Sequence, residues 1–185
     1  MAKRLSLREF QAGLAERLSS AARGADSRAL LGIQAGNGYW LLGLADAGEI
    51  VPLASLPSRA SLTPVALTKP WFVGLVNIRG VLYGVVDFSL FQGGEPTPLN
   101  DDARLLLIGT RYGSNSALLV SRTLGLKNPD GLECVAEVEA AAESGPAQSW
   151  IGETYCDRQD AVAPRWRRLR VQPLLVHPEF LDIAR

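Results

Sequence analysis

The hydrophobic pattern begins with a helical period and then turns strand-like. Leu7, Phe10, Leu14 and Leu18 recur at spacings of three and four, drawing one apolar stripe along a helix over residues 7–22. Ser6 and Glu9 stand at capping-box positions, where each side chain satisfies a backbone N–H of the first turn. Leu5 and Phe10 hold the hydrophobic-staple positions, and Gly24 supplies a stop. Arg8, Gln11 and Glu16 fall on the wet face. Residues 1–28 are therefore expected to form a short amphipathic N-terminal extension whose stripe docks on its own domain or, as the rival, on a partner.

From residue 29 the period shortens to two. Residues 29–34 and 39–44 flank Gly36-Asn37-Gly38, which tolerates positive φ, and predict a β-hairpin. Pro52, Pro57 and Pro64 break the next stretch into an irregular connection with short edge pieces. Residues 71–76 run into the turn Asn77-Ile78-Arg79-Gly80, and residues 81–88 read as a largely buried strand. Residues 92–102, with Gly93-Gly94, Pro96, Pro98 and Asn100-Asp101-Asp102, read as a loop where the chain crosses between subdomains near 92–103.

Further strands are expected over residues 104–110 and 116–121, then 124–126, 150–155 and 166–171. Residues 133–143 have the alanine and glutamate content of a helix, without a wide apolar stripe. Residues 173–176 and 179–183 read as short helical turns. Many short strands divided by glycine turns favour a mainly β fold of small barrels over a βαβ sheet.

Composition narrows the function. The chain has 185 residues, enough for one domain or two small subdomains. Nineteen basic residues balance nineteen acidic ones, which argues against a protein that holds a polyanion by counterion release. No run reaches about 18 apolar residues, so no membrane insertion is expected, and a cytoplasmic location follows. Cys134 and Cys156 lack close spacing and are read as reduced thiols, with a single disulfide left open.

Catalytic machinery is hard to assemble from these residues. His177 is the lone histidine, so any Ser-His-Asp or Cys-His pair must pass through it. An exposed or hydrogen-bonded histidine beside a helical turn is the plainer reading. No local spacing supports zinc, and the glycines form neither G-x-G-x-x-G nor a Walker loop. Neither a catalytic residue, a cofactor site nor a metal site is expected. Arg165, Arg167, Arg168 and Arg170 surround Trp166; on a strand Trp166, Arg168 and Arg170 share a face, where arginine can stack on the indole. An acidic protein partner or a solvated face both fit that cluster.

One segment carries a family resemblance. Trp71-Phe72-Val73-Gly74-Leu75-Val76-Asn77-Ile78-Arg79-Gly80-Val81-Leu82-Tyr83-Gly84-Val85-Val86-Asp87-Phe88 resembles the signature of the CheW chemotaxis-coupling family: Gly-x-x-Asn-hydrophobic-Arg-Gly, an apolar strand, then Asp-hydrophobic. An upstream hairpin ending in Ala47-Gly48-Glu49-Ile50 and a second strand pair downstream keep the family's order. Two positions depart from it, with Gly84 where proline is frequent and Ser121 where aspartate is frequent. The N-terminal helix, Pro70-Trp71-Phe72 and Val176-His177-Pro178-Glu179-Phe180-Leu181 are similar to the family's twitching-motility branch.

The resemblance implies two five-stranded SH3-like barrels over residues 29–180, followed by a tail over 181–185, with no cofactor. It implies a non-enzymatic adaptor for the regulatory domain of a CheA-type histidine kinase and the cytoplasmic tip of a methyl-accepting chemoreceptor, recruited to membrane-associated arrays. The first barrel would present the kinase surface and a groove between barrels would meet the receptor. Carried over by position, Ala47, Glu49, Gly74, Asn77, Arg79 and Gly80 are the partner-binding candidates, and Glu49 is the expected ion-pair partner of Arg79. An OB-like module binding nucleic acid or protein is the alternative, disfavoured by zero net charge and the lack of an aromatic stacking ladder.

Overall fold

A glycine turn at Gly36, whose φ is 55°, folds β1 (Leu30–Ala35) back on β2 (Gly38–Gly43), pairing Ala35 with Gly38 and Leu30 with Gly43. The structure is a computed structural model describing residues 29–56, 62–136, 149–158 and 163–185. The helix expected over residues 7–22 lies outside the described residues.

The first hairpin is the centre of a six-stranded sheet. β9 (Arg122–Lys127) flanks β1, and β12 (Trp166–Leu169) runs parallel to β2. β11 (Ile151–Asp157) and β10 (Leu132–Ala136) complete the order β10-β11-β12-β2-β1-β9. The second sheet is built from β3 (Ala47–Pro52), β4 (Leu62–Thr63), β5 (Phe72–Ile78), β6 (Val81–Asp87), β7 (Arg104–Ile108) and β8 (Ser116–Val120), ordered β3-β7-β8-β6-β5-β4. The mainly β, two-subdomain expectation holds, with six strands in each sheet where five were expected. One extra strand is the two-residue β4, which pairs with Val76 and Leu75 after the proline-rich stretch.

Residues 133–136 are strand, where composition favoured helix. Leu132, Glu133 and Cys134 pair with Asp157, Cys156 and Tyr155, and this tertiary pairing overrides local propensity. The chain changes sheet at Leu44–Asp46, between β2 and β3, and again at Ser121, between β8 and β9. It does not cross near 92–103, because β6 and β7 on either side lie in the same sheet. The Asp87 carboxylate fixes that loop, accepting from Thr97 N at 2.8 Å and from Thr97 Oγ1 at 2.8 Å.

Sheet-to-sheet packing explains the unbroken apolar runs. On β7 and β8, Leu105, Leu107, Ala117 and Leu119 enter the second sheet's own core with Val51, Val76 and Val85. Their neighbours Leu106, Ile108, Leu118 and Val120 turn the other way, into a core shared with Ile33, Trp40 and Leu42 of the first sheet. Strands buried on both faces need no polar alternation. β6 differs from its expectation of general burial: Val81 and Leu82 are exposed, and only Val85, Val86 and Asp87 are buried.

Three short helices close the junction. Asp87 caps α1 (Phe88–Phe91) by accepting from Ser89 N and Leu90 N. The helical turns α2 (Val171–Leu175) and α3 (Pro178–Leu181) seat Leu174 and Phe180 in the shared core. Phe180 stacks on Trp71 at 6.4 Å and meets Phe91 edge-on at 5.5 Å. The C-terminal residues then return to the second sheet's approach segment, where Lys69 N donates to Ile183 O and Lys69 pairs with Asp182 at 2.9 Å. Among the described residues, no helix is long and apolar enough to cross a membrane.

Candidate functional site

Ile78 and Val81 pair across a two-residue loop in which Arg79 has φ 53° and Gly80 has φ 86°. Two left-handed central residues match the right-handed twist of the flanking strands. Asn77 Oδ1 accepts from Gly80 N at 2.8 Å and locks the turn. Glycine takes this backbone freely, whereas an L residue does so at a cost of about 1–2 kcal/mol. Arginine is thus an expensive choice at position 79.

The guanidinium reaches across to β3 at the far side of the same sheet. Arg79 Nη1 donates to Glu49 Oε2 at 3.0 Å and Nη2 donates to Oε1 at 2.9 Å. This fork-to-fork pairing fixes orientation as well as charge. The side chains remain 78% and 40% exposed, so water screens the pair and leaves it less than about 1 kcal/mol of fold stability. A cleft of about 440 Å³ lies beneath, lined by Glu49, Val51, Ser55, Leu56, Ile78 and Arg79. Ile50, Val81 and Leu82 are exposed on the strands that carry the pair. Exposed apolar side chains framed by oriented charge are the composition of a docking surface.

The six partner-binding candidates divide between surface and support. Glu49, Asn77, Arg79 and Gly80 meet at one end of the second sheet. Ala47, also on β3, pairs with Ile108 and packs against the shared core. Gly74 is buried at a bulge with φ 135°, and a Cβ there would stand 2.2 Å from the Thr63 carbonyl oxygen. Its place is to let β4 approach β5.

Asp87, quoted in the motif but assigned no role from sequence, is 2% exposed and accepts four hydrogen bonds from Ser89, Leu90 and Thr97. The sequence signal was an aspartate standing directly before Phe88-Ser89-Leu90-Phe91, which suits a helix cap. The two departures from the family pattern also have local uses. Gly84 N donates to Asn115 O at 2.9 Å, a bond that proline lacks the donor to make. Ser121 Oγ accepts from Gly36 N at 3.2 Å and ties the sheet crossing to the first hairpin turn.

The arginine cluster is arranged differently from its expectation. Trp166 is buried and takes Lys127 over its ring at 5.1 Å, whereas Arg167 lies over Trp40 at 4.0 Å. Parallel pairing causes this, since β12 sets Arg167 opposite Trp40. Burial lowers the proton affinity of the Arg167 and Arg168 guanidinium groups. Arg170 pairs outward with Glu153 at 2.6 Å; a backbone hydrogen bond and then Arg170 hold that carboxyl below its ordinary range against the opposing effect of burial.

His177 is buried, 6% exposed, with its ring perpendicular to Phe91 at 6.4 Å. Of the two expectations for it, exposed or hydrogen-bonded, the aromatic junction that encloses it overturns the first. Cys134 and Cys156 are free thiols. Their register partners are Tyr155 and Glu133, so the two sulfurs point to opposite faces of the β10–β11 pair.

Comparison with known proteins agrees with this architecture. Residues 29–131 match the CheW-like domain. Protein PilI of Pseudomonas aeruginosa is 24% identical over 157 residues, covering 83% of this chain and 79% of the relative. The crystal structure of the scaffolding protein TtCheW from Thermoanaerobacter tengcongensis superposes with a TM-score of 0.56 at 14% identity, covering 77% of this chain and 88% of that one. The motif, the paired sheets and the matched span together place this chain in the CheW-like domain family, whose members are non-enzymatic scaffolds of chemosensory signalling.

Proposed function

We propose that this protein couples the cytoplasmic tip of a methyl-accepting chemoreceptor to the regulatory domain of a CheA-type histidine kinase. In this reading residues 29–180 are the coupling domain, and residues 1–28, whose sequence carries a helical apolar period, extend it. The pathway is the branch that controls type IV pilus extension and retraction, a reading supported by the similarity to PilI over most of both chains. The protein acts in the cytoplasm, beside receptors held in the membrane.

The observation that carries the reading is Arg79 in left-handed backbone, exposed and held fork to fork by Glu49. A turn optimised for stability alone takes asparagine or glycine there. Keeping arginine, at a conformational cost and with little stability returned by a surface ion pair, fits selection for a presented charge. The neighbouring exposed Ile50, Val81 and Leu82 supply apolar area for a partner, and the ion pair sets its orientation.

Co-purification from a cell lysate, with and without nuclease treatment, tests the reading. Recovery of a histidine kinase with the full chain supports the adaptor. Recovery of nucleic acid that disappears on nuclease treatment, with no kinase, supports the OB-like alternative instead.

A further inference from the structure

The turn that leads into β5 is apolar and exposed. Pro64, Val65, Ala66 and Leu67 form an unbroken run of exposed residues between β4 and the start of β5. Such a run on a surface is unfavourable unless it is used. Leu67 is 83% exposed, and its backbone is left-handed, with φ 60°. Turns that need this backbone usually place glycine or asparagine there. Leucine therefore carries a conformational cost while burying almost nothing in its own fold.

Several ties hold the turn in this strained form. Arg185 N donates to Leu67 O at 3.0 Å, and Lys69 N donates to Ile183 O at 2.9 Å. Thr68 bridges to Ala184, Thr68 Oγ1 donates to Val65 O at 2.8 Å, and Lys69 pairs with Asp182 at 2.9 Å. The same strap brings in Leu181 of α3, 64% exposed, because Ile183 N donates to Leu181 O. Apolar side chains from two distant segments thus stand close together. The charges among them are mixed: Lys69 and Asp182 are paired, and Glu179 and Arg185 on the same final stretch add one of each sign.

We infer that this face joins two copies of this chain about a two-fold axis, with Leu67 and Leu181 of each copy packed against those of the other. An isologous contact sets a patch against itself, which an apolar patch of balanced charge allows and a patch of one sign opposes. The chain as a whole carries nineteen basic and nineteen acidic residues, so no net repulsion keeps copies apart. The contact is separate from the Arg79 face. It precedes Phe72 at one end of β5, and Arg79 follows Ile78 at the other, roughly 20 Å away along the strand. A pair of copies keeps both Arg79 faces open.

Sedimentation equilibrium of the full chain over a range of protein concentrations tests this. Expected is a reversible monomer–dimer equilibrium, weakened roughly tenfold or more by Leu67→Gly and by Leu67→Asn. Both replacements accept left-handed backbone, so both variants should melt at or above wild type at low concentration, where monomer predominates. Leu67→Met should keep the dimer, and Leu181→Ser should weaken it while leaving the turn untouched. A wild-type chain that stays monomeric at every concentration overturns the inference and leaves the face to another occupant. A dimer that Leu67→Gly and Leu181→Ser leave unchanged, or an assembly that grows beyond two copies, overturns it as well.

Discussion

Arg79 and Glu49 stand thirty residues apart in the chain and join fork to fork, at 2.9 and 3.0 Å, across one end of the second sheet. Because both side chains reach solvent, the pair orients a surface more than it holds a fold. Arg79→Glu should therefore change the unfolding free energy by no more than about 1 kcal/mol in urea titration. Arg79→Gly should come out near wild type or above it, since release of left-handed strain offsets the lost pair. A loss of several kcal/mol in either variant would make the pair structural and remove the main support for a docking face.

Asp87 should behave in the opposite way. Its buried carboxylate serves three backbone donors and one hydroxyl, and alanine leaves all of them without an acceptor. Asp87→Ala is expected to cost about 3 kcal/mol or more, with Thr97→Val milder because one hydroxyl bond is lost. Thermal melts of the purified variants check the ranking, and equal melting points would contradict it.

Local turn chemistry made much of this architecture legible, and long-range pairing hid the rest. The Gly36-Asn37-Gly38 and Arg79-Gly80 turns could be read because positive φ restricts residue choice. The Arg79–Glu49 contact was foreseeable once both were assigned to one end of the sheet. By contrast, β4 is too short to carry a period, and β10 is strand because β11 lies beside it. The glycine- and proline-rich residues 92–102 looked like a crossing, yet Asp87 pins them within one sheet. Arg167 on Trp40 was invisible because a parallel pairing between the two ends of the described chain creates it.

The cysteines give a test of strand register. With Cys134 and Cys156 on opposite faces of β10 and β11, the folded protein cannot join them. Thiol titration after denaturation of air-exposed monomer should find both sulfhydryls. An intramolecular disulfide in folded, active protein would show that the register is different.

The helix expected from sequence over residues 7–22 would need cover for its stripe of Leu7, Phe10, Leu14 and Leu18, since a helix of this length is marginal alone in water. Burying one such side chain contributes roughly 1.5–3 kcal/mol. If the stripe braces its own domain, Phe10→Ala and Leu14→Ala lower the unfolding midpoint of the isolated protein. Wild-type melting with lost kinase binding would instead make the segment a docking arm.

Calorimetric titration of the full chain with the purified regulatory domain of the CheA-type kinase from the same organism tests the adaptor role most directly. Saturable one-to-one binding is predicted for wild type, with Arg79→Glu losing about 2–5 kcal/mol of binding free energy while remaining folded. No binding by wild type, or equal binding by folded Arg79→Glu, would contradict it.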